Sequence, residues 1–175
     1  MTSLLIISAT NRKNSKTLEF SKLVYQQVLN LGLQVDLLDL HADLPEAILG
    51  SDVYNQKQLK FNALAETKIV PSTHIYVISP EYNGSFPGIF KYCIDIWNPQ
   101  IWNQKHIALA GISEGRAGNL RGMDHLTDLF HHLKAHVYFN KLPVSGIKQV
   151  LHPEHPQHQN LVDLVNQQLS GFLKS

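Results

Sequence analysis

Five times along this 175-residue chain a short aliphatic run stops at a polar loop and an amphipathic stretch of helical period follows. The runs Leu4 to Ser8, Gln34 to Asp39, His74 to Ile78, His106 to Ala110 and His136 to Phe139 read as strands. Phe20, Leu23, Val24, Val28 and Leu31 recur at helical spacing and stop at Gly32, a natural C-terminal cap. A weaker helix is expected from about Asp52 to Lys68, after a loop containing Leu44-Pro45, and another from Pro87 to about Trp97. Met123, Leu126, Phe130 and Leu133 mark a fourth helix. Leu161, Leu164, Val165, Leu169 and Phe172 form the apolar stripe of the last. Strand-helix alternation with short connections implies an α/β fold: a doubly wound parallel sheet of five strands, right-handed crossovers and helices on both faces. No linker, repeat or shift of composition interrupts it, so residues 1–175 are expected to form a single domain. A chain of this length buries roughly 70% of its unfolded surface without staples.

Two loops after these strands carry ligand-binding chemistry. In open α/β sheets ligands bind outside the carboxyl ends of the strands. The first loop reads Ser8-Ala9-Thr10-Asn11-Arg12-Lys13-Asn14-Ser15-Lys16-Thr17. Its hydroxyls and cations, with the free N–H groups of a helix start, are what a phosphate dianion needs to replace its water shell. It contains no glycine, so neither the dinucleotide fingerprint nor the P-loop is present, and a terminal monophosphate fits better than a pyrophosphate. An ordinary hydrophilic loop with a Ser cap would share this composition. The second loop, Ser79-Pro80-Glu81-Tyr82-Asn83-Gly84-Ser85-Phe86-Pro87-Gly88, offers a carboxylate, a polar aromatic, an amide and a close-approach glycine. Pro87 suits the first helical position, because its missing N–H would have no partner there.

Together the loops resemble those of the NADPH-dependent FMN reductases, flavodoxin-like proteins that include quinone, azo-dye and chromate reductases. Pro80 to Gly88, with Lys91, Ile94 and Asp95 after it, is similar to that family's flavin loop and following helix. Ala110 to Gly122 resembles the loop that closes over the flavin ring. The family usually begins its first loop Gly-Ser, where this chain has Ala9-Thr10. The resemblance implies strand order 2-1-3-4-5, with FMN at the switch between strands one and three. It further implies that Thr10, Arg12, Ser15, Lys16 and Thr17 hold the FMN phosphate. Pro80, Glu81, Tyr82, Asn83 and Gly84 would run along the isoalloxazine edge, and Ser113 and Gly115 would present backbone groups near its pyrimidine side. Arg116 is either a further candidate for the phosphates of the nicotinamide nucleotide or a surface residue with no role in binding. The activity implied is hydride transfer from NADPH or NADH, through FMN, to a small acceptor such as free flavin or a quinone, in a homodimer or homotetramer. A flavodoxin-type electron carrier or a non-catalytic flavin scaffold would use the same loops.

Composition narrows the classes. Lys plus Arg number 15 against 14 Asp plus Glu, giving a net charge of +1. That offers no basic field for nucleic acid and departs from the acidic surface of flavodoxin carriers. No apolar run approaches the roughly 18 to 20 residues that cross a bilayer. One cysteine, Cys93, and no basic-then-apolar leader at Met1-Thr2-Ser3 point to a cytoplasmic protein, with Cys93 as buried packing. His152, His155 and His158 lie among Pro153, Glu154 and Pro156. The prolines make this an extended, solvated connection and not a metal site. His125, His131 and His132 are expected on a helix surface. Trp97 and Trp102 read as core, as a subunit interface or as a wall beside the substrate. Glu81 reads as a structural or interface carboxylate, because hydride transfer to a flavin needs no general acid. No side chain is expected to carry the chemistry.

Overall fold

In a computed structural model, which describes residues 3–44 and 59–175, the strands are β1 Leu4–Ser8, β2 Val35–Asp39, β3 His74–Pro80, β4 His106–Ile112, β5 His136–Val137 and β6 Leu142–Val144. The helices are α1 Lys16–Asn30, α2 Leu59–Lys68, α3 Gly88–Ile96, α4 Leu120–His132, the single turn α5 Ile147–Val150, and α6 His158–Phe172, with a 3₁₀ turn at Pro99–Trp102. All pairings are parallel and the order is β2-β1-β3-β4-β5.

The fifth position in this order is shared by two short strands. His106 and Ile107 of β4 pair with His136 and Val137, whereas Ala110 to Ile112 pair with Leu142 to Val144. The expected strand through Phe139 therefore ends at Val137, the chain leaves the sheet, and β6 rejoins it at the carboxyl end of β4. There is a second shift at Pro87, which is the N-cap with an extended ψ of 134°; the helix begins at Gly88. Residues 52–58 of the expected helix, and Pro45 of the loop before it, lie outside the described residues.

Alternate strand residues feed two cores. Leu5, Ile7, Ile75, Val77, Ile107 and Leu109 pack under α2, α3 and α4, against Phe61, Phe90, Trp97, Trp102 and Phe130. Leu4, Ile6, Tyr76, Ile78, Ala108 and Ala110 face α1 and α6, against Phe20, Val24, Leu169 and Phe172. This period of two is why β1, β3 and β4 read as continuous apolar runs: both faces are covered. Trp97 and Trp102 are fully buried, with the Trp97 indole donating to Phe61 O at 3.0 Å, so they are core and neither interface nor wall. Cys93 is buried beside them, and burial pushes its thiol pKa up.

One buried polar group ties α6 to the sheet. The Tyr76 hydroxyl donates to Gln168 Oε1, while Gln168 Nε2 donates to Leu109 O at 3.1 Å and Asn140 O at 2.6 Å. These bonds satisfy an amide that would otherwise be costly to bury, and they fix the chain between β5 and β6. Among the described residues no helix is long and apolar enough to cross a membrane.

Candidate cofactor site

The chain leaves β1 toward α1 on one face of the sheet and leaves β3 toward α3 on the other, so a crevice opens between the two loops. A cavity of about 450 Å³ fills it, lined by Arg12 to Thr17, Pro80 to Tyr82, Ile112 to Glu114, Ile147 and Lys148. Ligand pockets typically run from about 300 to 1,000 Å³.

At one end lies the start of α1. Ser15 is the N-cap, its Oγ accepting from Leu18 N at 3.1 Å, which leaves the N–H groups of Lys16 and Thr17 without intrahelical acceptors. The helix dipole adds partial positive charge there. Arg12 and Lys13 are exposed and form no ion pair among the described residues, while Lys16 Nζ is held by Glu19 at 2.7 Å. Lys16 thus contributes its backbone N–H more readily than its ammonium.

Thr10 is placed differently from the expectation. It is fully buried behind the cavity wall, where its Oγ1 shares a hydrogen bond of 2.8 Å with the Tyr82 hydroxyl and accepts from Arg12 N at 3.3 Å. It joins the two loops. Ala9 is buried in the core and its N–H donates to Ile78 O at 2.9 Å, so its Cβ packs inward.

In the second loop, Tyr82 and Ser85 exchange backbone hydrogen bonds of 2.9 and 3.1 Å around Asn83 and Gly84, whose φ values are +51° and +77°. Two positive φ values in a two-residue hairpin define a type I′ turn, for which Asn-Gly is the favoured sequence. The glycine is required by that turn. Asn83 and Gly84 lie outside the cavity lining, and a Cβ on Gly84 would meet Arg121 Nη1 at 2.7 Å. Pro80 is the last residue of β3, and Glu81 N donates to Ile112 O at 2.9 Å.

The loop after β4 is stitched to the segment around β6. Ser113 N donates to Val144 O at 3.0 Å, Ile147 N donates to Ser113 O at 3.1 Å, and Lys148 N donates to Glu114 Oε1 at 3.0 Å. The Ser113 N–H, expected to face a ligand, is therefore committed to β6, and its hydroxyl donates to Gly115 O at 2.8 Å. Gly115 lines a neighbouring cavity instead. Gly118 lies so close to Pro143 and Val144 that a Cβ would sit 2.6 Å from Val144 N. Asn119, 1% exposed, anchors the far end of the loop by donating through Nδ2 to Ser79 O at 3.0 Å.

Ile112, Glu114, Ile147 and Lys148 line the cavity without having been assigned from sequence. Glu114 stood within a recognised motif. Lys148 is brought in only by the pairing of β6 with β4, and its one local signal is the Ser145-Gly146 turn before it. Beyond the cavity, His125, His131 and His132 are exposed as expected, with His125 Nδ1 2.8 Å from Ser85 Oγ. His158 Nδ1 lies 3.0 Å from Val150 O at the start of α6, so that histidine begins a helix.

Residues 2–149 match the family of NADPH-dependent FMN reductases. The chain belongs to that family. FMN is its cofactor and a reduced nicotinamide nucleotide its co-substrate. The chain is also 32% identical over 63 residues, 34% of each protein, to a 2-hydroxy-1,4-benzoquinone reductase from a Burkholderia species. That match spans about a third of the relative's length. Among solved structures it resembles FerB, the NAD(P)H:acceptor oxidoreductase of Paracoccus denitrificans, with 21% identity, coverage of 99% and 98% of the two chains, and a TM-score of 0.73. An NADH:FMN oxidoreductase, EMOB, gives 18% identity, coverage of 97% and 90%, and a TM-score of 0.72. At these identities the likeness establishes the flavodoxin-like fold alone.

The residues fit the group that the family implies. Two free helix N–H groups, the Ser15 and Thr17 side chains and Arg12, which forms no ion pair among the described residues, supply the donors a phosphate requires, and Ile112, Pro80 and Ile147 supply apolar walls for a ring system.

Proposed function

We propose that this protein is an NAD(P)H-dependent FMN reductase whose acceptor is a quinone or a comparably small, flat, electron-poor molecule such as free flavin. The observation that carries the reading is the single cavity shared by the Arg12 to Thr17 helix start and the Pro80 to Tyr82 loop. Bound FMN supplies hydride acceptance and donation, which no side chain in the site can provide.

The chain's own part is binding and orientation. The α1 start, with Arg12, holds the phosphate; Pro80, Glu81 and Tyr82 flank the ring, with Asn83 and Gly84 forming the turn that presents them. Thr10 acts from behind, holding the Tyr82 hydroxyl. Ser113 and Gly115 act through the fixed course of their loop. Because hydrogen bonds tie that wall to Val144 of β6 and to Ile147 and Lys148 of α5, it keeps its shape and excludes water from one side. The quinone assignment draws on the Burkholderia relative and on the family's acceptors. The whole chain acting as one domain, assembled as a homodimer or homotetramer in the cytoplasm, completes the proposal.

The test is anaerobic addition of NADPH or NADH to the FMN-loaded protein. The yellow flavin colour should bleach in one phase whose rate saturates with nucleotide, and a quinone added afterwards should restore it. If neither nucleotide bleaches the flavin while a chemical reductant does, the protein is an electron carrier and the reductase reading falls.

A further inference from the structure

Each apolar residue that walls the ring end of the cofactor cavity has a charged neighbour in the chain. Pro80 is followed by Glu81 and Ile147 by Lys148, Glu114 stands two residues beyond Ile112, and all three charged residues line the cavity. Backbone hydrogen bonds draw them together. Glu81 N donates to Ile112 O at 2.9 Å, Ile147 N donates to Ser113 O at 3.1 Å, and Lys148 N donates to Glu114 Oε1 at 3.0 Å.

Among the lining residues, the walls supplied by the ends of β3 and β4 and by α5 therefore hold two carboxylates and a single ammonium, whereas Arg12, Lys13 and Lys16 belong to the α1 side. Glu81 is exposed and forms no ion pair among the described residues. Lys148 Nζ lies 4.0 Å from Glu114 Oε2, beyond hydrogen-bond reach, and its side chain is 64% exposed. It is an electrostatic neighbour of Glu114 and not a fixed partner, so its charge is free to act on a ligand beside both.

Charge at this end matters because the ring system gains charge. Two electrons and one proton, the content of a hydride, add one negative charge to a flavin ring, while its phosphate stays as it was. A carboxylate beside the ring opposes that change and an ammonium favours it, the more so as the ring displaces water from between them. We propose that Lys148 is the cation that offsets Glu114 and Glu81 against the reduced cofactor, and so raises the reduction potential of bound FMN. It does so on the reading that seats the phosphate at the α1 start and the ring between Pro80, Ile112 and Ile147. Lys148 sets the local charge and transfers nothing.

The midpoint potential of protein-bound FMN, titrated anaerobically with dithionite against a reference dye, reads the ratio of affinities for the reduced and the oxidised cofactor without turnover. Lys148→Gln should lower that ratio about three- to tenfold, equivalent to about 15 to 30 mV for a two-electron couple. Glu114→Gln, which keeps an acceptor for Lys148 N, should raise it by a similar factor, and Lys148→Arg should stay within about twofold of the wild type. A contact from Lys148 to the phosphate would weaken oxidised and reduced FMN alike and leave the potential where it was. That result, or no change in either Gln variant, would overturn the proposal. So would shifts of one sign in both Gln variants, or a fall in Lys148→Arg as large as in Lys148→Gln, because each would mark a disturbed wall and not a change of charge. Where Lys148→Gln fails to retain FMN, Glu114→Gln decides alone, and anything but a rise overturns the proposal. Dithionite replaces the nucleotide here, so failure of NADPH and NADH to bleach the flavin would overturn the reductase reading and leave this role of Lys148 standing.

Discussion

The Thr10 and Tyr82 hydroxyls meet at 2.8 Å across a sequence separation of 72 residues, joining the loop that follows β1 to the loop that follows β3. Each loop belongs to a different crossover, so this bond fixes the relative position of the two halves of the cofactor site. The Thr10 Oγ1 also accepts from Arg12 N, which couples the bond to the backbone that carries Arg12. Tyr82→Phe and Thr10→Val should each lose about 0.5 to 1.5 kcal/mol of FMN affinity, with little change in overall stability. The double variant should lose hardly more than either single one, because both remove the same bond. Additive losses in fluorescence titrations would show that the two side chains act separately.

Arg12 is, with Lys13, one of two cations at the phosphate end of the cavity that form no ion pair among the described residues. Arg12→Ala should weaken FMN by roughly 1.5 to 3 kcal/mol, the range for a hydrogen bond to a charged group, and leave riboflavin nearly unchanged. Titration of both ligands checks this, and equal losses would assign Arg12 to the ring or to the loop fold.

The sheet was readable because its chemistry is local. Val77 and Leu109 pack on one core while Tyr76 and Ala108 pack on the other, and double-sided burial leaves an apolar run that only a covered strand explains. β6 was not readable. Three residues with Pro143 in the middle carry no period, and their place follows from Gly118 and Ser113 lying against them, a contact between distant segments. Lys148 and Ile147 reach the cavity through the same contact. The phosphate loop was legible from composition, but composition could not separate Ser15, whose hydroxyl caps α1, from Thr10, whose hydroxyl faces Tyr82. Gly84 was recognised as special for its place near a ligand, whereas the Asn-Gly pair is a type I′ signal in its own right.

That distinction yields a prediction at Gly84. Its φ of +77° disfavours any side chain, and a Cβ would in addition meet the Arg121 guanidinium at 2.7 Å. Arg121 is flexible and can withdraw, while the backbone cannot change without opening the turn. Gly84→Val should therefore abolish FMN binding while the domain stays folded, and Gly84→Ala should weaken binding about tenfold, from roughly 1 to 2 kcal/mol of left-handed strain. Adding Arg121→Ala to Gly84→Ala should not restore affinity. Recovery in that double variant would show that crowding and not backbone conformation sets the requirement.

At the opposite, amino end of the sheet His74, His106 and His136 are register partners on adjacent strands; the His74 and His106 rings stack with centroids 4.7 Å apart, and the His136 ring lies tilted against His106 at 5.3 Å. The His74 ring also meets Phe172 edge-on, and Thr73 Oγ1 lies 3.0 Å from its Nδ1. Burial, and then the neighbouring imidazole His106, hold His74 below the usual value of 6.5; a backbone contact with Ser175 opposes them weakly. His106 is lowered in the same way, by burial and then by His136. Lys105, whose ammonium donates to Val70 O and Ser72 O, adds a cation at the same edge. A folded pKa below the unfolded one means that the unfolded chain takes up more protons as pH falls, so stability is full above about 6.5 and declines below it. Thermal melts should show Tm constant from about pH 8 to 7 and falling from about pH 6.5 toward 5. His106→Gln removes the central ring and with it the repulsion on His74, so the fall should become shallower. An unchanged slope in that variant would place the acid sensitivity elsewhere in the fold.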